Sequence, residues 1–339
     1  MTILAVVWFV LVAFLLCGFA VLDGFDLGAG FWHLFLHTDE ERRKGLNAIG
    51  PVWDGNEVWL LTGAGALFAA FPAAYATVFS GFYLAMMLLL AALILRPVAI
   101  EVRSRIECPR WRSLWDHVFG VASTLAALLL GVALANVVAG IPLDARGTFT
   151  ASFWTLLNPF ALATGLLGVA VFALHGGLYL AIKTDGGMEI RLATGARSAG
   201  YAAGVLLLAS TVLALALEPQ VVANHQARPW LWLLLLGALA SIGVSVHGLG
   251  KGRLRRAFGA STATIVLLFA TAATSLFPNL VPSRSDAANS ITIMNGSSSE
   301  TTLLTMLIVA LIGMPLVIGY TVFAYRTFRG KVRIDEHGY

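Results

Sequence analysis

Nine stretches of this chain are too long and too uniformly apolar to be anything but membrane spans. They run approximately 3–36, 50–71, 73–96, 114–139, 157–182, 199–217, 229–249, 257–277 and 302–328. About 20 apolar residues cross a ~30 Å hydrocarbon core. A backbone in lipid satisfies its N–H and C=O groups only in helices or closed barrels, and runs of this length are helices. With 58% hydrophobic and only 12% charged residues among 339, the composition fits no soluble domain. The expected fold class is all-α: a polytopic membrane protein of about nine transmembrane helices, in a single integral domain over 1–339.

The basic residues give the expected orientation. Arg42, Arg43 and Lys44 follow the first span, and Arg96, Arg103, Arg105, Arg110 and Arg112 follow the third. Lys183, Arg191 and Arg197 follow the fifth, and Lys251, Arg253, Arg255 and Arg256 the seventh. Arg326, Arg329, Lys331 and Arg333 close the chain. Nineteen of the 22 lysines and arginines thus share one side, leaving Arg146, Arg228 and Arg284 on the other. The excess of positive charge in cytoplasmic loops places the N-terminus outside and the C-terminus in the cytoplasm. The net charge of +4 then reflects topology and is no sign of nucleic-acid binding. The N-terminus lacks a positively charged leader region, so the first helix is read as uncleaved.

Against this apolar background four acids stand out. Asp23 and Asp26 in the first span, and Asp54 and Glu57 in the second, form two i,i+3 pairs, so each helix shows its two acids on one face. An ionised carboxylate inside a membrane is costly and is retained mainly where it does something. If the first two spans pack as neighbours, the faces meet in a cluster of four carboxyls. No lysine or arginine falls inside an apolar span, Arg96 marking the end of the third, so the chain is expected to offer this cluster no counter-ion. For Asp54 and Glu57 there is a plainer reading as acids at a helix N-terminus behind Pro51.

Asp23, Asp26, Gly30, His33 and His37 follow one another at steps of 3, 4, 3 and 4, one stripe of a helix. It joins the acids to the basic surface and ends in two imidazoles, which titrate near neutrality. The glycines at 24, 28 and 30 also suit a small-residue packing seam, and the two readings are compatible. A lone histidine such as His175 or His247 near a helix end is more often hydrogen-bonded structure than a haem ligand. Cys17 and Cys108 lie at different depths and suggest neither a disulfide nor a metal site. The segment 278–300 reads as a polar surface loop. Dinucleotide, phosphate-loop and CxxCH haem-attachment motifs are missing from the sequence, so any redox centre is expected elsewhere.

The motifs resemble those of a known family. GFAVLDGFDLGAG at 18–30 and GPVWDGNEVWLLTGAGALFAAFPAAYATVFSGFY at 50–83 are the strongest. RPV at 96–98, RWRSLWD at 110–116, GVALANVVAGIP at 131–142, LLNPF at 156–160 and FPNLVPS at 277–283 add to them. Over nearly its full length the chain resembles subunit II of the cytochrome bd-type quinol oxidases, including the cyanide-insensitive branch. The resemblance implies a heterodimer in the prokaryotic cytoplasmic membrane that oxidises quinol and reduces dioxygen to water, generating a proton gradient. Haem b and haem d, and the quinol site, are then expected on subunit I. The present chain would serve assembly, cytoplasmic proton uptake and dioxygen access. Asp23 and Asp26 match the family's DGFD motif, Asp54 its WDG motif, and Trp59 the tryptophan beside the gas route; Glu57 stands where some members carry Gln. The resemblance also admits a bound quinone and a small single-helix subunit as further partners. A proton-coupled secondary transporter is the alternative on first principles. It would show internal repeats with interrupted helices in both halves, whereas the acids here are confined to the first two spans.

Overall fold

The computed structural model describes residues 3–332; Arg333, counted above among the basic residues of the last segment, and both ends of the 1–339 domain lie outside the described residues. The spans form an all-helical bundle. Helix α1 (Ile3–His33) is central and packs against α3 (Trp53–Ala70), α6 (Pro109–Ala139) and α7 (Pro159–Lys183), with a short surface helix α2 (Asp39–Ile49) after it. The remaining helices are α4 (Pro72–Gly81), α5 (Tyr83–Arg103), α8 (Gly186–Leu217), α9 (Pro219–Ala227), α10 (Trp232–Gly250), α11 (Leu254–Leu276) and α12 (Glu300–Thr327). Among the described residues, eight helices are individually long and apolar enough to span a membrane, and nine spans result when α3 and α4, bent by 119° at their junction, are taken as one.

Several boundaries differ from the expected ones: α1 ends at His33 and not at 36, α6 begins at Pro109 and not at 114, and α8 begins at Gly186 and not at 199; the differences around Pro72 and Arg96 bear on the site. Pro72 ends α3, because proline has no N–H for the helix ladder and its ring clashes with the preceding turn. It is, however, well placed as the first residue of α4, so α3 and α4 meet there in a sharp bend. The third span then runs from Tyr83 to Arg103 and carries Pro97 in its interior. Arg96 is therefore inside a span, and only residues 104–108 separate α5 from α6.

The loops gather at two ends. At the basic end, Thr38 caps α2 by accepting from Glu41 N (3.2 Å), and Lys183 Nζ donates to the Phe328 carbonyl (2.6 Å). At the other end, strands β1 (Asn279–Val281) and β2 (Ile291–Thr292) pair antiparallel, so the expected loop 278–300 has a folded core. Ile293 in it is fully buried. Arg284 pairs there with the buried Glu218 (2.5 Å).

Helices α1 and α7 cross backbone to backbone. A Cβ on Gly28 would fall on the Phe172 carbonyl, and one on Gly176 would fall on Gly28. The glycine seam expected from the sequence is thus a close approach that no larger residue allows.

Candidate functional site

Asp23 and Asp26 sit ten and seven residues before the end of α1, about 15 Å and 10 Å from His33 along the axis. Both are completely buried. The structure corrects the expectation that they lack a counter-ion. Arg96, 1% exposed, reaches across from α5 and grips Asp23 with two prongs, Nη2 to Oδ1 at 2.9 Å and Nη1 to Oδ2 at 3.0 Å. Reading an arginine followed by proline as the end of an apolar run hid the pair. A bidentate guanidinium offsets the cost of burying both charges in a way that a lone charge cannot.

The second acid pair is placed differently from the four-carboxyl cluster expected. The buried face of α3 is Asn56, Trp59, Gly63 and Ala70, which packs on α1. It is therefore Asn56 that meets Asp26, its Nδ2 donating to Oδ2 at 2.7 Å. Glu57 is half-buried beside this face, within electrostatic reach of Arg96 and Asp23. Asp54 lies beyond it, exposed on the outer side of the helix. Three acids thus surround Arg96, and the fourth lies on the flank. Apolar bulk, in the form of Trp59 and the close fit of Gly63 on Leu16, decides which face of α3 turns inward. From α12, Tyr325 donates to Asn56 Oδ1 at 2.8 Å.

At the basic end the stripe continues to His33, which is buried and donates from Nε2 to Asp116 Oδ1 at 2.6 Å. Asp116 also accepts from Arg42 (2.9 Å) and Arg103 (2.5 Å), and Arg103 bonds the half-exposed Asp39 at 2.7 Å. This ionic network joins α1, α2, α5 and α6. His37 is not on the stripe. Helix α1 ends at His33, so His37 lies exposed in the turn to α2, where its backbone N–H donates to Glu41 Oε2. Between Asp26 and His33, Gly30 packs directly on the side chain of Ser123. The Ser123 hydroxyl, Asp26 Oδ1, Arg96 Nε and Arg103 Nη1 are all buried and unpartnered within the described residues.

Trp59 lies over Gly18, whose missing Cβ makes room for the indole, and meets Phe14 edge-on at 6.0 Å. Its neighbours Leu16, Phe19 and Leu60 line a cavity of about 290 Å³ between α1, α6, α7, α8 and α11. The lining is mostly apolar, with Thr164, Ser210, Thr211, His225, Thr271 and Ser275 as its polar points and no lysine or arginine among the described residues. His175 lies apart from it, with Nε2 donating to the Val21 carbonyl (3.1 Å), Nδ1 bonded to the Ser261 hydroxyl (2.7 Å), and its ring stacked on Phe258 at 4.4 Å. Both ring nitrogens are thus engaged. His247 is exposed.

Sequence reasoning missed Arg96, Asn56, Arg103, Asp116, Ser123 and Tyr325. Arg96 and Arg103 had a usable signal, since arginines seven residues apart share one helix face. A buried acid also requires a partner somewhere. Asn56 and Tyr325 had none, because an amide or a phenol reads as neutral filling until its neighbours are known.

The profile of the family described as cytochrome bd terminal oxidase subunit II matches residues 4–328. The chain is 36% identical to the cytochrome bd-I ubiquinol oxidase subunit 2 of Escherichia coli K12, over 98% of this chain and 96% of that one. It is 34% identical to the cytochrome bd ubiquinol oxidase subunit 2 of Bacillus subtilis, over 97% of each. Among solved structures, the bd oxidase from Geobacillus thermodenitrificans shares the fold, with a TM-score of 0.80 at 18% identity over 97% of this chain and 99% of that one. The transporter alternative gains no support from these relatives. A cytochrome oxidase is haem-dependent, and a subunit II implies a subunit I beside it. Full-length family agreement, nine apolar spans and the acid motifs converge: the chain belongs to the cytochrome bd terminal oxidase subunit II family, as a multi-pass subunit of a terminal oxidase in the bacterial cytoplasmic membrane.

Proposed function

We propose that this chain conducts the protons consumed in oxygen reduction from the cytoplasm towards a haem-bearing subunit I, in a complex that oxidises quinol. The basic end is then cytoplasmic and the N-terminus outside. Asp26 carries the reading: a fully buried carboxyl, one oxygen of which has no partner among the described residues, on the stripe that leads to His33 and Asp116. The four unpartnered polar atoms along that stripe are the kind of group that ordered water satisfies, and carboxyl, hydroxyl, imidazole and water together make a proton relay. Asp23, held by Arg96, fixes the charge beside which Asp26 takes up a proton. Glu57 and Asp54 continue the acids outward from Arg96. His37 and Asp39 stand at the entrance.

Asp54 also indicates where the partner sits. It is exposed on α3 beside Val58, Leu61 and Phe68, themselves exposed. A carboxylate facing lipid is strongly disfavoured, so this face, flanked by α5 and α12, meets subunit I, possession of which lets Asp54 pass protons on.

The haems supply the electron transfer and the oxygen chemistry when the complex is loaded. The cavity lining offers no cation for haem propionates, although His225 on its wall keeps both ring nitrogens unpartnered among the described residues; His175, outside the cavity, has both nitrogens engaged. On this reading haem b and haem d are held by subunit I. A neutral quinone, with an apolar tail and two carbonyl acceptors, suits the cavity's lining. Trp59 and the apolar residues behind it give dioxygen a path, and a small single-helix subunit fits the exposed apolar flank.

Asp54→Asn in the purified complex tests the reading. Haem content and quinol binding are expected to survive while turnover and proton uptake from the cytoplasmic side fall together. Wild-type turnover with normal charge movement would leave Asp54 a structural acid near the helix start.

A further inference from the structure

Helix α12 is exposed along nearly its whole length, and Leu303 is its one buried residue. It is held at both ends. Near its start the Leu303 carbonyl accepts from Trp8 Nε1 (2.9 Å), and in its last turn Tyr325 reaches inward. The Tyr325 ring packs edge-on against Phe25 at 6.3 Å, and Phe25 stacks on Tyr179 at 4.0 Å. Its hydroxyl ends on Asn56 Oδ1 at 2.8 Å, and the other end of the same amide donates to Asp26 Oδ2 at 2.7 Å.

An amide has one accepting end and one donating end, so this chain of contacts has a direction. With Tyr325 donating to Oδ1, Nδ2 faces the carboxyl, and Asp26 Oδ2 must accept. A proton arriving at Asp26 then has only Oδ1 to occupy, the oxygen without a partner among the described residues. If the amide turned over, Tyr325 could still accept from Nδ2, but its own hydroxyl proton would lose the acceptor it has here. That orphaned donor, in a protein interior, costs about the worth of a hydrogen bond.

We infer that Tyr325 is a positioning residue for proton transfer: through Asn56 it fixes the polarity of the hydrogen bond to Asp26, so that Asp26 takes up its proton on Oδ1 and not on Oδ2. The inference rests on the reading of Asp26 as a proton carrier. It also ties the site to α12, whose exposed face borders the region assigned to the partner subunit.

The test uses the whole oxidase and infrared difference spectroscopy, with the Asp26 carbonyl band assigned by its loss in Asp26→Asn. In the wild type the carbonyl is Oδ2, which accepts from Asn56. Tyr325→Phe keeps the ring and its packing on Phe25 but frees the amide to turn. The proton then moves to Oδ2, the carbonyl, now Oδ1, loses the Asn56 amide as donor and keeps only stripe water, and the band is expected to shift from its wild-type frequency. Turnover is expected to fall roughly fivefold, the equivalent of one neutral hydrogen bond, with haem content unchanged. An Asp26 band that stays in place in Tyr325→Phe, or that is missing from the wild type, overturns the inference. Wild-type turnover in Asp26→Asn would instead sink the proton-carrier reading, and the band in Tyr325→Phe would still decide what Tyr325 does.

Discussion

Arg96 and Asp23 form a two-pronged ion pair, at 2.9 and 3.0 Å, between helices α5 and α1, with neither side chain reached by solvent. The pair makes Arg96 the centre of the acid site. It also separates the roles of two acids one helical turn apart. Asp23 is committed to a permanent cation, whereas Asp26 is bonded only to a neutral amide among the described residues, as the proposed proton-carrying role requires.

Removing one member of the pair should therefore be worse than removing both. Arg96→Met leaves Asp23 a buried charge without a partner, a loss of about 3–5 kcal/mol, and the complex is expected not to accumulate. Asp23→Asn combined with Arg96→Met takes away both charges and should restore assembly in part. The amount of complex recovered after detergent extraction checks this. Equal recovery of the single and double variants would show that Asp23 does not depend on Arg96 for its burial.

Gly28 and Gly243 make a controlled comparison. A methyl group on Gly28 would meet the backbone of Phe172 and Gly176, which cannot swing aside, while one on Gly243 meets nothing within 4 Å. Gly28→Ala is expected to cost at least about 1–3 kcal/mol as an overpacked site and to part α1 from α7. Gly243→Ala, an exposed helical position, is expected to be neutral or slightly stabilising. Thermal unfolding of the two variants in the same detergent is the measurement.

Much of the architecture was legible because a membrane span is written in length and hydropathy, and nine such stretches admit few alternatives. The acids of α1 were legible for the same reason, as charges where charges are costly. What escaped was pairing. Arg96 precedes proline at the end of an apolar run, and only the position of Asp23 on the neighbouring helix shows that the span continues to Arg103. Asp54 and Glu57 share a face by spacing, yet α3 turns the Asn56–Trp59 face inward, a choice made by side-chain volume against α1. His37 followed the stripe in spacing, but the helix stopped four residues earlier, at His33, where the turn to the Thr38 cap begins.

Glu41 gives a pH test outside the spans. Partial burial of its carboxyl works against ionisation, but hydrogen bonds from the His37 backbone N–H and the Arg191 guanidinium outweigh it and hold Glu41 below its ordinary value of 4.5. A depressed carboxyl adds stability above its unfolded value and loses it as pH falls through its folded one. The wild type should thus be more heat-stable than Glu41→Gln at pH 6, and the gap should close on acidification below about pH 4. A gap that is constant from pH 6 to pH 3 would mean that Glu41 acts through packing and not through charge.

Trp59 offers a test of dioxygen access that sets it apart from proton delivery. The indole is buried at 7% exposure, rests on Gly18, and stands before the apolar residues Leu16, Phe19 and Leu60 of the cavity wall. A small neutral molecule is guided through such a region by shape alone, since it has no charge or hydrogen bond to recognise. Trp59→Ala should therefore change the apparent affinity for dioxygen more than that for quinol, with proton uptake per turnover unchanged. Gly18→Ala is the complementary variant: its added methyl would push the same ring from its seat without altering the ring's chemistry, and it should shift dioxygen affinity in the same sense or block assembly. Oxygen-electrode titrations at saturating quinol, set beside quinol titrations in air, separate the two affinities. Equal shifts in both would assign Trp59 to general packing of α3 on α1 and remove it from the dioxygen route.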